Sequence, residues 1–273
     1  MAEGVEDVLS ASSLKSFRRC PQQWYFSHVE KIRMPPSIKQ VLGISVHWGA
    51  EVNYRQKLET RVDEPEDVVL DAYSTVYDAG MVEVEKHDED PGKAKDQGAQ
   101  LMSLYHHTVA PPTQPLWVER QTTFRVISEH AEGCDRVACG CGVPFSATID
   151  LVDEARQVRD TKTAARSPSG GQHLMQVAAG AIGFEAETGE RATDLIVDTL
   201  VRTKQPKYVQ ERWGGSVDKP MRKVFAQQVN VASTMIQQGL FPASGAEAGP
   251  GGPCSWCGYK PICPVWRKRA EKA

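Results

Sequence analysis

The chain has 273 residues, of which 25% are charged and 40% hydrophobic, and its formal net charge is −3. This length is enough for one large domain or two small ones with a buried core. The acidic balance argues against non-specific coating of nucleic acid, although it leaves room for a local basic channel. Because the sequence has no apolar run of about 18 residues and no basic-then-apolar N-terminal segment, it predicts a cytoplasmic protein.

The N-terminal segment, residues 9–32, predicts two short helices. It opens with serines suited to capping a helix and then places Leu14, Phe17 and Trp24 at helical spacing. Cys20 falls between the two helices, directly before a proline. Taken alone, Cys20 is most simply a small buried residue.

Residues 41–58 predict a longer helix. His47 and Glu51 are four residues apart and share a face, and Gly43, four residues before the histidine, allows another element to pack closely. A lone helical histidine is usually structural or solvated. His47 therefore becomes a credible metal ligand only if acidic groups lie nearby.

Residues 64–109 predict helices interrupted at residues 88–92 (DEDPG), where a proline and an acidic cluster indicate a turn. No chemistry is recognisable in this stretch. We interpret it as a helical subdomain that packs on the core or covers a cleft, with His106 and His107 as surface residues.

Residues 116–128 alternate between apolar and polar and predict a strand, whose Glu119 could face the same site as the acids of the following hairpin. Next, residues 130–142 (HAEGCDRVACGCG) could form a zinc loop, because imidazole and thiolate suit zinc. Its candidate ligands are His130, Cys134, Cys139 and Cys141. The C-x4-C-x-C spacing is not a familiar zinc pattern, so a glycine-rich connection between strands is the preferred interpretation.

Residues 147–163 (ATIDLVDEARQVRDTKT) predict a β-hairpin around a polar turn. Asp160 and Lys162, two apart on one strand, leave the same face of the sheet. Asp150 joins that face only if it pairs opposite Asp160, which requires an odd-length loop such as residues 154–156. Two carboxylates and an ammonium could then hold a divalent cation and neutralise charge on a phosphate. The alternative is a solvated hairpin without chemistry.

Residues 172–188 predict a helix with a small, apolar face suited to lying against the sheet. Gln172 and Gln176 could contact substrate or a metal-bound water, although solvent-facing glutamines are commoner. Residues 193–203 predict a strand, and the basic, aromatic segment after it fits either contact with a nucleic-acid backbone or an ordinary amphipathic strand. That segment contains Lys204, Lys207, Tyr208, Arg212 and Trp213. Residues 218–238 predict an amphipathic helix.

The C-terminal residues 249–266 (GPGGPCSWCGYKPICPVW) contain Cys254, Cys257 and Cys263 in C-x2-C-x5-C spacing. Three cysteines so close in an irregular, proline-rich tail indicate metal ligands rather than core residues. A thiolate site normally needs four ligands, and Cys20 is the best fourth candidate, which would fasten the two ends of the chain together. Zinc and an iron-sulphur cluster both accept four cysteines, so the spacing leaves the metal open.

Five features together resemble the RecB-like nucleases of the PD-(D/E)xK superfamily. They are the N-terminal LSASSLKSFRRCPQQWYF, GISVH, the ID-then-DTK hairpin, the glutamine-bearing helix and the terminal CSWCGYKPICP. More narrowly, they resemble the branch with an iron-sulphur staple, which includes the family-four CRISPR-associated exonucleases and their phage-encoded relatives. The motifs extend from Ser10 to Pro264, whereas residues 60–110 match nothing recognisable.

The resemblance implies an α/β fold: a restriction-endonuclease-like core with a central mixed β-sheet flanked by helices, plus a helical insertion and a C-terminal iron-sulphur segment. It divides the chain into four segments. These are residues 1–60 with the N-terminal helices, one cluster cysteine and the GxxxH helix, residues 61–110 as the insertion, residues 111–240 as the nuclease core, and residues 241–273 as the cysteine-rich segment.

The resemblance also implies a set of site residues. It implies Mg²⁺ or Mn²⁺ held by His47, Asp150 and Asp160, with Lys162 assisting the nucleophile and Gln176 supporting the site. It implies a structural [4Fe-4S] cluster on Cys20, Cys254, Cys257 and Cys263. These nucleases often place a tyrosine four residues after the glutamine, where this chain has Gly180.

The predicted reaction is metal-dependent hydrolysis of DNA phosphodiesters, and the resemblance further suggests exonucleolytic trimming of single-stranded ends. One alternative is a non-catalytic iron-sulphur or zinc adaptor that binds DNA, which the full His, Asp, Asp, Lys set disfavours. Another is a nuclease subunit of a helicase or CRISPR adaptation complex. The sequence has no G-x4-G-K-[ST] loop, so any ATPase would have to be a partner.

Overall fold

The structure is a computed structural model, and it describes residues 8–85, 88–127, 142–168, 170–215, 217–244, 254 and 257–266. The chain divides into two compact units. We call residues 35–122 and 147–217 the hairpin unit, and residues 1–34, 123–146 and 218–273 the terminal unit. The four-segment division based on the sequence stays a prediction.

Helices and strands occur in both units. In chain order the described elements are β1 (Leu9–Ser10), α1 (Ala11–Arg19), α2 (Pro21–His28), α3 (Ile38–Thr60), α4 (Glu66–Met81), α5 (Pro91–Thr108), β2 (Pro115–Val126), β3 (Val143–Asp153), β4 (Gln157–Ala164), α6 (Leu174–Thr188), β5 (Asp194–Val201), β6 (Lys207–Gly214) and α7 (Lys219–Gln237). Among these helices, none has the length and apolar character that crossing a membrane requires.

Helices α3, α4 and α5 pack together in the hairpin unit. Helix α3 begins with a capping box, in which the Ser37 hydroxyl accepts a hydrogen bond from the Gln40 amide and the Gln40 side chain accepts one from the Ser37 amide. The core of this layer includes the buried rings of Tyr73, Tyr77 and Tyr105. The predicted helices and the break at residues 88–92 are confirmed, because α5 begins at residue 91. This packing fixes α3, which carries His47.

A mixed sheet and helix α6 form the rest of the hairpin unit, and the strand order of the sheet is β3-β4-β5-β6, with β2 also pairing with β3. Strands β4 and β5 are parallel, whereas β3 and β4, and β5 and β6, are antiparallel. Every residue of β5 is buried, as expected for a strand covered on both faces. The predicted α/β class, with a central mixed sheet flanked by helices, is confirmed.

Three predictions from the sequence concern α6, β6 and residues 130–142. The helix predicted for residues 172–188 begins at Leu174, so Gln172 lies in the preceding turn rather than on the helix. The basic, aromatic segment forms β6, an amphipathic strand. The proposed zinc loop at residues 130–142 lies, apart from its last glycine, outside the described residues.

The terminal unit contains α1, α2 and α7, and β1 pairs in parallel with the first part of β3 there. The predicted pair of short helices is confirmed. Trp24 of α2 donates a hydrogen bond from its indole nitrogen to the Ser13 hydroxyl of α1 at 2.7 Å. Near the C-terminus, the Tyr259 hydroxyl donates to the Ile32 carbonyl at 2.8 Å, and its ring packs against Phe26. The two terminal segments therefore pack against each other inside this unit.

Candidate active site

The hairpin of β3 and β4 meets the condition that the sequence set for Asp150 to lie beside Asp160. Its loop contains three residues, because β3 ends at Asp153 and β4 begins at Gln157. The register pairs Leu151 with Arg159, and one further step brings Asp150 opposite Asp160. The Thr161 amide donates a hydrogen bond to Asp150 Oδ2 at 3.3 Å, which ties this carboxylate to the neighbouring strand. The strand register and this hydrogen bond therefore hold Asp150 beside Asp160.

Helix α3 brings His47 to the hairpin. Its Nδ1 lies 3.5 Å from Asp150 Oδ2. Gly43, one turn earlier on α3, permits this approach, because a Cβ at that position would lie only 3.3 Å from the Thr163 hydroxyl of β4. The histidine that the sequence left as a conditional ligand therefore does have an acidic neighbour.

Lys162 and Gln176 both hold Asp160. The Lys162 ammonium donates to Asp160 Oδ1 at 2.7 Å, and the Gln176 amide of α6 donates to the same oxygen at 3.2 Å. Asp160 is only 4% exposed, and its Oδ2 is buried without a hydrogen-bond partner. A buried carboxylate oxygen without a partner is costly unless a cation or a donor satisfies it.

Glu119 of β2 also reaches this site. Ligand atoms from His47, Glu119 and Asp150 all lie within 4.8 Å of one another. The backbone of Glu119 has φ = 45°, a left-handed conformation that a residue with a Cβ rarely adopts. Sequence reasoning placed Glu119 near the site but gave it no role, because simple strand alternation carries no sign of this distortion.

Burial and mutual charge perturb every ionisable group at the site. Burial and the charge of Lys162 lower the pKa of His47, so its imidazole is neutral at neutral pH. Burial raises the pKa of Asp150, and burial together with the charge of Asp150 raises the pKa of Asp160 to about 6. Burial and nearby acids raise the pKa of Glu119 to about 8. Burial disfavours the charged form of Lys162, but the two aspartates outweigh it and raise its pKa.

These shifts predict how the stability of the protein depends on pH when a chelator removes metal. A carboxyl group whose pKa is raised by folding stabilises the protein at low pH and loses that effect between its unfolded and folded pKa values. For Asp160 this interval ends at about pH 6. The lowered pKa of His47 has the opposite effect on stability, and its contribution to the pH dependence ends above its unfolded pKa of 6.5. Between pH 6.5 and 8 the site group with a stated folded pKa is Glu119, and the raised pKa of Asp150 acts in the same direction as that of Glu119.

We therefore expect the melting temperature in EDTA to fall from pH 6.5 to pH 8. The upper limit is about 1.4 kcal/mol per pH unit, and because water screens the half-buried Glu119, roughly 1 kcal/mol or a few degrees is expected. The Glu119→Gln variant should lack this component. Identical pH profiles for the two proteins would contradict the prediction.

The family of the chain follows from comparison with known proteins. Residues 8–264 match the model of the PD-(D/E)XK nuclease superfamily. The chain belongs to this superfamily. No curated protein sequence matches the chain significantly.

Two solved structures resemble this nuclease-superfamily member. The crystal structure of a Eubacterium rectale protein, provisionally named as an exonuclease, matches with a TM-score of 0.59 at 10% identity, covering 98% of this chain and 90% of that one. At that identity the likeness shows a shared fold. The crystal structure of SSO0001 matches with a TM-score of 0.38 at 14% identity, covering 93% of this chain and 95% of that one. That score is too low to show a shared fold.

Nucleases of the PD-(D/E)XK superfamily use divalent metal ions, and the residues of this chain fit one. Carboxylate and imidazole groups converge within ligand-to-ligand distance, and one buried carboxylate oxygen lacks a partner. The predicted superfamily is confirmed, whereas the roles of individual residues stay predictions.

Gly180 stands where the motif resemblance leads us to expect a tyrosine. A Cβ there would lie 3.3 Å from Val158 and 3.4 Å from Ile149, in the contact between α6 and the hairpin. Any side chain at this position would push on these two neighbouring side chains. Position 180 therefore serves close packing of α6, which carries Gln176.

The four candidate cluster cysteines all lie in the terminal unit. Cys20 stands between α1 and α2 with an extended backbone. Cys20, Cys254, Cys257 and Cys263 are free thiols that line one cavity. Burial, together with the charges of the other three cysteines, raises the pKa of the Cys257 thiol. Among the described residues, no three of these sulphur atoms lie within 4.8 Å of one another.

Proposed function

We propose that this PD-(D/E)XK protein hydrolyses DNA phosphodiester bonds with Mg²⁺ or Mn²⁺, using His47, Asp150, Asp160, Lys162 and Gln176. One observation carries the proposal: groups from α3, β3, β4 and α6, far apart in sequence, meet at one point. The contacts are 3.5 Å between His47 and Asp150, 2.7 Å between Lys162 and Asp160, and 3.2 Å between Gln176 and Asp160.

The electrostatics of the site support a cation there. Burial raises the pKa of both Asp150 and Asp160, and the negative charge of Asp150 raises that of Asp160 further. A divalent cation between them would offset their repulsion and satisfy the free Asp160 oxygen. Neutral imidazole is the form of His47 that can donate an electron pair to a metal.

Each side chain then has a role in hydrolysis. When bound, the cation supplies Lewis-acid chemistry to the phosphate and to the attacking water. In the reaction an oxygen of water bonds to phosphorus, the bond from phosphorus to a sugar oxygen breaks, and the sugar oxygen takes up a proton. Lys162 is placed to stabilise the negative charge that develops on the phosphate oxygens. Gln176 fixes the orientation of Asp160.

We further propose that the substrate is the end of a single DNA strand. The motif resemblance to iron-sulphur exonucleases supports this, and the Eubacterium rectale protein with the same fold carries an exonuclease name. A helicase or a CRISPR adaptation complex as partner is a prediction from the same resemblance.

We propose that the four cysteines hold a structural [4Fe-4S] cluster. Their thiols line one cavity, as expected for ligands of a shared metal site. The choice of iron-sulphur over zinc comes from the motif resemblance to the iron-sulphur nucleases. The cluster would hold the terminal unit together without a redox role.

The function is tested with single-stranded DNA labelled at either end and with a circular single strand. We expect Mn²⁺ or Mg²⁺ to start progressive shortening of the linear strand, EDTA to stop it, and re-added metal to restore it. The circular strand should stay intact, because it offers no end. Cutting of the circle would refute the exonuclease assignment, and linear DNA that is bound but never cut with either metal would refute catalysis.

A further inference from the structure

We propose that Glu119 is a further protein ligand of the divalent cation, binding it beside His47 and Asp150. This inference rests on the proposed function, because it concerns the same site. It adds a residue that lies outside the hairpin, on β2. It also adds an ion preference: an imidazole and two carboxylates on one ion favour Mn²⁺, since Mg²⁺ usually keeps several waters and few protein ligands.

The distances fit one ion shared by the three groups. In an octahedral site with bonds of about 2.1 Å, neighbouring ligand atoms stand about 3.0 Å apart and opposite ones about 4.2 Å. His47 Nδ1 and Asp150 Oδ2 are 3.5 Å apart, and one ligand atom of Glu119 lies within 4.8 Å of both. Small side-chain adjustments would bring these atoms around a single cation.

An independent observation points to a ligand at this place. Asp160 is 4% exposed and adjacent to Asp150, and among the described residues its Oδ2 has no assigned hydrogen-bond partner. Its other oxygen is already occupied by Lys162 and Gln176. Asp160 stands opposite Asp150 in the β3–β4 pair, and the charges of Asp150 and His47 both act on its carboxyl group. A cation bound to the three ligands would satisfy the free oxygen directly or through a bound water.

The course of β2 shows how Glu119 comes to face the site. In a regular strand, Trp117 and Glu119 would share one face, and Val118 and Arg120 the other. Instead, Trp117 packs on Phe184 of α6, and Arg120 forms an ion pair with the same helix. Val118 joins the core formed with α3, α4 and α5, and Glu119 approaches His47 of α3.

The consecutive side chains of Val118 and Glu119 therefore both face the helical layer that contains α3, which is the effect of a β-bulge. The left-handed backbone of Glu119 marks the position of this bulge. Bulges commonly redirect a side chain beside an active site. The distortion turns toward His47 a carboxylate that a regular strand would direct to the other face.

The test compares Mn²⁺ binding by wild type, Glu119→Gln and Glu51→Gln, measured from the electron paramagnetic resonance signal of free Mn²⁺. Glu51 is the matched control, because it lies one turn after His47 but already pairs with Arg55 at 2.6 Å. Both variants replace a glutamate near the site by a neutral amide of the same shape. We expect Glu119→Gln to weaken Mn²⁺ binding by at least about tenfold and Glu51→Gln by less than about threefold.

Folding is checked by melting in EDTA, where Glu119→Gln should be no less stable than wild type because it keeps the shape of the side chain and removes a charge. Glu119→Asp keeps the charge but shortens the side chain. We expect it to weaken Mn²⁺ binding as well, since a ligand must reach the ion.

The remaining outcomes separate this inference from the proposed function. Equal weakening by Glu119→Gln and Glu51→Gln would mean a long-range charge effect and would overturn ligation by Glu119. Wild-type affinity in Glu119→Gln, with binding lost in Asp150→Asn, would overturn the inference and leave the proposed metal site intact. Wild-type affinity in both variants would overturn the metal site itself.

Discussion

The Asp160→Ala variant is expected to lose metal-dependent DNA cleavage by about 10³-fold or more. Asp160 accepts hydrogen bonds from Lys162 and Gln176 on one oxygen and has a second, buried oxygen free for a cation. Alanine removes the carboxylate and leaves the ammonium without its closest partner. Losing even one well-placed electrostatic group commonly costs 10² to 10³ in rate, and here several interactions are lost at once. Single-turnover cleavage of end-labelled DNA at saturating Mn²⁺ measures the effect.

Glu154→Ala is the matched control for this variant. Glu154 is an acid in the loop of the same hairpin, and its exposed ion pair with Arg61 is worth little. Its removal should leave cleavage unchanged. Melting of Asp160→Ala in EDTA checks that the variant, which leaves the Lys162 ammonium without this partner, is still folded at the assay temperature. Cleavage by Asp160→Ala at the wild-type rate would rule out the catalytic assignment.

Lys162→Met separates charge stabilisation from metal binding in the same experiment. The methionine side chain has a similar length but no charge. If Lys162 acts on the phosphate, its loss should slow cleavage strongly while Mn²⁺ still binds. Asp160→Ala, by contrast, should affect both cleavage and Mn²⁺ binding.

The hairpin could be predicted in detail because two simple rules determine it. Side chains alternate along a strand, so Asp160 and Lys162 had to share a face. The number of loop residues then decides whether Asp150 joins them; the sequence left an odd-length loop as a condition, and the three-residue loop of the structure meets it. Both rules act over fewer than twenty residues.

Glu119 could be placed near the site but not assigned a role, for a physical reason. Its direction depends on a distorted backbone with φ = 45°, which nothing in the local residue pattern indicates. Such a conformation persists only where the surrounding contacts hold it, and these come from α3 and α6. Those helices are distant in sequence from β2, so local patterns carry no information about the distortion.

The spacing of the tail cysteines predicted a metal site but left the kind of metal open. Sequence spacing gives the number of ligands and their type, whereas the distances between sulphur atoms depend on the fold. Packing of Tyr259 on the segment around Ile32 and Phe26 brings the chain ends together. These aromatic contacts have no local signature. The zinc loop suggested for residues 130–142 stays a prediction.

The Cys257→Ser variant is expected to lose a protein-bound [4Fe-4S] cluster and to melt more than about 10 °C lower than wild type. A structural metal site can contribute about 10 kcal/mol to folding, and each kcal/mol shifts the melting temperature by a few degrees in a domain of this size. Cys257 is the residue to change because the other three cysteines act on it electrostatically. Visible absorption and iron analysis of anaerobically purified protein measure the cluster.

A second cysteine variant is the control. Cys139→Ser changes a cysteine outside the predicted cluster set, so it should keep the iron and the brown colour. Loss of metal from Cys139→Ser, with metal retained in Cys257→Ser, would place the site at residues 130–142 instead. Colourless wild-type protein with one zinc per chain would refute the iron-sulphur assignment but leave the four-cysteine site standing.

The structural role of the cluster can be distinguished from a redox role, because the metal site and the cysteines belong to different units. If the cluster only stabilises the terminal unit, Cys257→Ser should still bind Mn²⁺ with wild-type affinity below its lowered melting temperature. Reducing the intact cluster with dithionite should then leave the cleavage rate unchanged. A rate that follows the oxidation state of the iron would mean that electrons, rather than folding, connect the cysteines to the chemistry at Asp160.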